Sequence, residues 1–357
     1  MVQFLLNPRS IALAATLLLA AELPARTKAT AETRSSPELL MDGGRKLVFE
    51  RSFHSEREVK TKRSFWNKLT DIVAGEKEYR FLVRPYSTTT DSRGRVIVTD
   101  PGAFGVHVFD FEKQRYRFLS RREGKDALES PQCVAVDSLD NIYVTDSEAG
   151  KIFVFGPNGK FVRVIGALRG GEGFFKRPTG IAVDSDAQRI YVADTWRHQI
   201  FVLDMQGSVL QRIGKAGLAD GEFNLPTELR LNGDDLIVVD AMNFRVQVLS
   251  RSGVFRRSIG HPGDARGDVF RPKGIAIDSE SHLYVADAFL NLVQVFDQDG
   301  RLLYYFGKQA GIGDFLLPAG VAIDANDRIL VVDSYNRRIQ MFRYFGARAP
   351  AVVGGAP

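Results

Sequence analysis

The sequence holds a single cysteine in 357 residues, so no disulfide can form within the chain and the fold must rest on its apolar core. That residue, Cys133, sits in the apolar run QCVAVD and reads as an interior-strand thiol rather than a reactive or metal-ligating one. Charge of one sign is also lacking: 48 Lys and Arg against 43 Asp and Glu leave a formal net charge of +5. So small an excess permits weak attraction to anionic surfaces and gives no nucleic-acid signature. No Gly-rich phosphate loop and no Ser-based nucleophile elbow is evident, which removes the commonest phosphoryl- and acyl-transfer readings. The apolar run Ile11 to Ala21 falls short of the about 20 residues that a membrane span needs.

What that run does match is a secretory signal. Arg9 supplies a positive start, Ile11 to Ala21 the apolar centre, and Ala29-Thr30-Ala31 an A-x-A cleavage pattern, with Leu23-Pro24-Ala25 as a second one. No cysteine follows the run, so lipidation there is excluded. The expectation is a cleaved signal over 1–31, a flexible linker over 32–44, and a periplasmic or secreted protein with no membrane span after cleavage.

From about residue 84 the chain repeats itself. Short apolar runs end in TTTD, VAVD, IAVD, LRLN, IAID and VAID, and after each a second run ends in Asp100, Asp146, Asp194, Asp240, Asp287 and Asp333. The period is about 46–48 residues, that of a four-stranded propeller blade. Runs rich in Ile, Val, Leu, Tyr and Phe between Asp, Ser, Gly and Asn are antiparallel strands.

Six units are present, and the sixth lacks its fourth strand. Residues 45–53, RKLVFERSF, match the fourth strands of other units, so an all-β, six-bladed β-propeller is predicted whose last blade is closed by this N-terminal strand. A short inserted helix is expected over 64–75, where Ser64 can cap and Phe65, Trp66, Leu69, Ile72 and Val73 share a face. The propeller spans 45–345, and 346–357 form a disordered tail.

The signature P-x-G-I-A-V-D, I-Y-V-A-D, N-x-R-I-Q-V-F and G-x-x-x-x-x-F-G resembles the NHL repeat family, most clearly over Pro178 to Asp204, Pro272 to Asp297 and Pro318 to Phe342. The resemblance implies a six-bladed propeller used mainly for binding: protein partners in most members, RNA in some animal members, extracellular ligands in some bacterial sensors. A related propeller carries a peptidyl-hydroxyglycine amidating lyase with a three-histidine zinc site. Here His54, His107, His198, His261 and His282 fall at different phases of the repeat, so no such site assembles. The aspartates closing the second strands read as acceptors for N–H groups in the following turn, rather than as metal ligands.

The informative residues are those that break the repeat on one face. Two positions after the second-strand Asp stand Trp196, Met242, Phe289 and Tyr335, where the first two units have Gly102 and Glu148. Around them lie Arg197, His198, Phe244, Arg245, Arg337 and Arg338, types enriched at binding hot spots. Either these turns present an exposed patch to a partner, or the aromatics fold sideways and finish the rim. The expected role is a non-catalytic, monomeric scaffold for a protein, peptide or polysaccharide of the cell envelope, without nucleic acid or cofactor. The alternative is a metal-dependent hydrolase or lyase, holding a Ca or Zn ion at the mouth of the central channel. Glu228, in LPTELRL where other blades carry Gly, and His198 are the residues such a site would use.

Overall fold

The computed structural model describes residues 36–59, 79–120, 127–307 and 310–346. The predicted signal, the helix over 64–75 and the tail beyond Gly346 lie outside them. Among the described residues no helix is long and apolar enough to cross a membrane.

Six antiparallel sheets form a ring of blades. Each runs outward from an innermost strand: Thr88–Thr90, Pro131–Val136, Pro178–Asp184, Pro226–Asn232, Pro272–Ile277 and Pro318–Ile323. The second strands are buried almost throughout, since both faces of every blade meet a neighbour, and this is why they read as unbroken apolar runs such as IYVAD. The core follows the same geometry. Six apolar clusters fill the six gaps between consecutive blades; one joins Val293 and Phe306 of the fifth blade to Val331 and Phe342 of the sixth.

Near the axis the blades crowd. A Cβ on Gly180 would stand 2.8 Å from Glu228 Cα, one on Gly274 2.4 Å from the Ala319 carbonyl, and one on Gly320 2.8 Å from Ser87 Cα. These glycines are required by close approach of neighbouring innermost strands.

The ring closes through the predicted strand. Lys46–Phe53 pairs antiparallel with Arg338–Phe345, from Lys46 opposite Phe345 to Phe53 opposite Ile339. The stretch expected to be a flexible linker proves partly structured. Glu38–Leu40 forms a strand on the outer edge of Lys46–Phe53, turning through Asp42–Gly44, where Gly43 and Gly44 take left-handed φ values of 71° and 74°. The last blade therefore has five strands, and the extra one pairs the edge that a four-stranded closure would leave bare.

Because Leu47 is fully buried in the gap between blades five and six, Leu47→Ala should cost about 2–5 kcal/mol. Leu40→Ala, on a side chain 71% exposed, should stay within about 0.5 kcal/mol. Urea unfolding of the two variants checks this, and equal losses would contradict the closure.

Candidate functional site

Every second strand ends in a fully buried aspartate: Asp100, Asp146, Asp194, Asp240, Asp287 and Asp333. A buried carboxylate is costly unless its oxygens are satisfied, and here N–H groups arrive from two directions. The connection entering the blade supplies Val83 and Arg84 to Asp100 (2.6 and 2.9 Å), Lys176 and Arg177 to Asp194 (3.0 and 2.9 Å), and Phe270 and Arg271 to Asp287 (2.8 and 3.0 Å). The turn leaving the strand adds Ala103 to Asp100 at 3.1 Å, and Phe289 and Leu290 to Asp287 at 3.0 and 3.1 Å. The sequence reading saw only this second set.

Side chains complete the shell. Arg245 Nε donates to Asp240 at 2.9 Å, Arg338 Nε to Asp333 at 2.7 Å and Arg197 Nη1 to Asp194 at 3.0 Å. Gln247 and Gln340 donate to the same carboxylates at 2.9 and 3.0 Å, and His107, at the same strand position, puts Nε2 3.4 Å from Asp100. Burial pushes the Asp100 carboxyl up, but His107 and the N–H groups of Val83 and Arg84 outweigh it and hold the pKa below its ordinary value. Asp146, with Phe153 where His107 would be, is left above its ordinary value by burial.

This carboxylate ring fixes the turns that carry the predicted partner residues. Trp196, Met242, Phe289 and Tyr335 are 57%, 49%, 53% and 66% exposed, in register on four consecutive blades. Four positions after each Asp the backbone is left-handed, at Phe104, Gly150, His198, Phe244, Asn291 and Arg337. Five of those six bear a side chain, a strain of about 1–2 kcal/mol each that the surrounding bonds must hold.

The other candidates divide. Arg337 is exposed, whereas Arg197 and Arg245 are bound to their own blade's aspartate and serve the scaffold. His198 Nδ1 accepts from the Leu225 N–H at 3.2 Å. Phe244 is half-buried beside Phe270, which in turn packs on Phe289 at 4.2 Å between ring centroids. The Arg177 guanidinium sits over Trp196 at 5.2 Å from the ring centroid.

Where blades one and two lack a large residue, the crest opens into a hollow of about 820 Å³ lined by Val83, Arg84, Phe104, Glu148, Tyr335 and Arg337. Phe104, 50% exposed, escapes a search made two positions after each Asp. The fourth position, where the left-handed residues recur, would have found it.

Glu228, expected at the channel mouth, is only 2% exposed, its Oε1 2.6 Å from Arg230 Nη1 and its Oε2 3.4 Å from Cys133 Sγ. A carboxylate that deep needs a counter-charge, and Arg230, two residues along the same strand, supplies it. Burial first, and Glu228 second, push the Cys133 thiol up. Among the described residues no three or more His, Cys, Asp or Glu gather closely enough to hold a metal ion.

The comparisons with known proteins agree with this architecture. The family described as a 6-bladed beta-propeller matches residues 126–214, and the NHL repeat matches residues 315–342. No curated protein matches the chain. Among solved structures, a virginiamycin B lyase from Staphylococcus aureus is similar at 13% identity and a TM-score of 0.54, over 84% of this chain and 99% of that one. An auxiliary nutrient binding protein from Bacteroides thetaiotaomicron is similar at 13% identity and a TM-score of 0.56, over 73% and 69%. A chain of a nidogen/laminin complex is similar at 20% identity and a TM-score of 0.53, over 69% and 88%. Likeness at these identities shows the fold alone.

The lowered Asp100 pKa sets a sign for pH dependence. Its stabilisation is full above the unfolded value of about 3.9 and is lost as pH falls through the folded value. Asp100→Asn should cost about 3 kcal/mol at pH 7, and the gap to the natural chain should narrow at pH 3 and below. Urea midpoints at both pH values test it; a gap independent of pH would rule out the charged carboxylate as the source.

Proposed function

We propose that this chain, an NHL-repeat six-bladed β-propeller, is an exported binding scaffold that takes a protein, peptide or polysaccharide of the cell envelope on the face bearing Trp196, Met242, Phe289 and Tyr335. One observation carries the reading. Four large apolar side chains stand 49% to 66% exposed in register on turns that a buried hydrogen-bonded ring holds in place, and the row ends in a hollow. Isolated exposed apolar residues are ordinary, but a contiguous set on a preorganised surface marks an interaction site.

The chemistry of the face suits an extended partner. Trp196 and Tyr335 offer flat aromatic surface with a polar tip, useful against sugar rings and peptide backbones alike. Arg84 and Arg337 beside Glu148 give the hollow both signs of charge, and hence directional contacts for amides and hydroxyls. Two of the similar structures are named for binding, one a nutrient binding protein and one a complex with laminin, which supports the reading by analogy of fold. The lyase-like alternative gains no specific support, because His198 and Glu228 are engaged by Leu225 and Arg230.

Trp196→Ala combined with Tyr335→Ala should weaken capture of envelope peptides or glycans on an array at least tenfold, with the melting temperature unchanged. Leu139→Ala, 74% exposed on the turn between first and second strands at the opposite face, should leave capture intact. Equal capture by all three proteins would refute the site.

A further inference from the structure

On the face opposite the crest, a cleft of about 490 Å³ opens between blades one and two. Three turns frame it. The turn between the first two strands of blade one supplies Arg93 and Arg95. The hairpin of that blade's last two strands, Gly105–Asp110 and Arg115–Leu119, supplies Lys113, Arg115 and Arg117. The far wall is Pro157 and Asn158, in the blade-two turn between Lys151–Phe155 and Phe161–Ile165.

The cleft is built into the contact between the blades. Arg95 is buried, its Nε bonded to Asp91, and its Nη1 donates to the Pro157 carbonyl at 2.8 Å, which fastens the blade-two turn to blade one. Gly159, at a left-handed φ of 75°, lays that turn against Arg117: a Cβ there would stand 2.8 Å from Arg117 Cδ. Arg115 and Arg117 are two residues apart on one strand, so they share the face that lines the cleft.

The lining is unbalanced in charge. Of its five cations, Arg93 is paired with Asp140 at 3.2 Å and Arg95 with Asp91. Among the described residues Lys113, Arg115 and Arg117 have no carboxylate partner. The acid of the lining, Asp110, accepts only the Lys113 backbone N–H, at 2.8 Å, and Glu112 of the same hairpin does not line the cleft. Arginines on other outer strands are engaged: Arg163 bonds the Met205 carbonyl, Arg212 lies over Phe201 at 5.4 Å from its ring centroid, and Arg256 and Arg257 meet Asp235.

We propose that this cleft binds a sugar phosphate, with Lys113, Arg115 and Arg117 receiving the phosphate. Guanidinium forks pair with two oxygens of a tetrahedral oxyanion at once, and the ammonium adds a point charge. The volume falls among small-molecule sites, roughly 300–1,000 Å³, and exceeds what a bare phosphate fills. The rest of the wall joins Tyr116 and Pro157 to the Asn158 amide and the Asp110 carboxylate, which suits a body with apolar faces and several hydroxyls. The site lies across the ring from the aromatic crest and does not rest on the reading given for it.

Calorimetric titration of the full chain with glucose 6-phosphate tests the proposal, beside inorganic phosphate, glucose, and phosphatidylcholine vesicles containing phosphatidylglycerol. Saturable binding of the sugar phosphate is expected, at least tenfold tighter than that of phosphate or glucose. Arg115→Gln combined with Arg117→Gln should weaken it at least tenfold at an unchanged melting temperature, since both side chains are exposed. Asn158→Asp keeps the acceptor that takes the Lys160 N–H at 2.9 Å and sets a negative charge on the far wall, so it should weaken binding by a similar factor. Arg337→Gln on the crest should change nothing. Absence of sugar phosphate binding, or binding indifferent to either cleft variant, would overturn the site. Equal binding of inorganic phosphate would overturn the sugar body, and equal binding of glucose the anion. Binding of the anionic vesicles alone would replace the cleft with a diffuse basic edge.

Discussion

Satisfying a buried carboxylate at the end of each second strand is the constraint on which this propeller depends. One carboxylate takes N–H groups from the connection that enters the blade and from the turn that leaves it, so each Asp ties two crossing segments to the sheet. The connection bonds the carboxylate in all six blades. Where the turn gives no backbone N–H, at Asp194, Asp240 and Asp333, the side chains of Arg197, Asn243 and Asn336 take its place, so one face of the ring is a fixed platform. Where Gln, Arg or His lies nearby, it is drawn into the same shell, which is why Arg197 and Arg245 belong to the scaffold rather than to the surface. The crest residues are left outward because their neighbours are occupied.

The channel obeys the opposite economy of space. Small residues on the innermost strands of blades three, five and six let the backbones meet, and the room so left admits the Glu228 and Arg230 side chains from blade four. The charge admitted there is paired, Glu228 with Arg230. Arg177, whose guanidinium lies over Trp196, belongs to the aromatic platform.

Much of this was legible in the sequence because a propeller repeats its demands. Six recurrences of Asp in phase gave the blade number, and the missing strand after Arg338–Phe345 pointed to Lys46–Phe53. What escaped is what crosses between repeats. Glu228 looked accessible because its partner Arg230 occupies a position that is Ala in four other blades and Thr89 in the first, so the register alone suggests no charge there. The extra strand Glu38–Leu40 is three residues long and carries no periodicity to read. Phe104 was hidden by its phase, two residues past the position at which the other blades display their aromatics. Arg245, an exposed-looking cation at the start of a strand, is held by Asp240 five residues back and by the Ala219 and Glu222 carbonyls of the connection, which lie far off in sequence.

The closure of the ring by its first strand orders events in time. Glu50 and Arg343 form an ion pair 293 residues apart in the chain, and every bond between Lys46–Phe53 and Arg338–Phe345 spans a comparable distance. During synthesis the early strand can pair only with its short neighbour Glu38–Leu40 until almost the whole protein has been made, while the intervening blades can each assemble from adjacent sequence. Ring closure is then the last and slowest step, because the longest loop must be restrained before its contacts repay the entropy. A nascent chain would present the strand LVFERSF with one edge bare for that whole interval, and it is there that a chaperone would have to act.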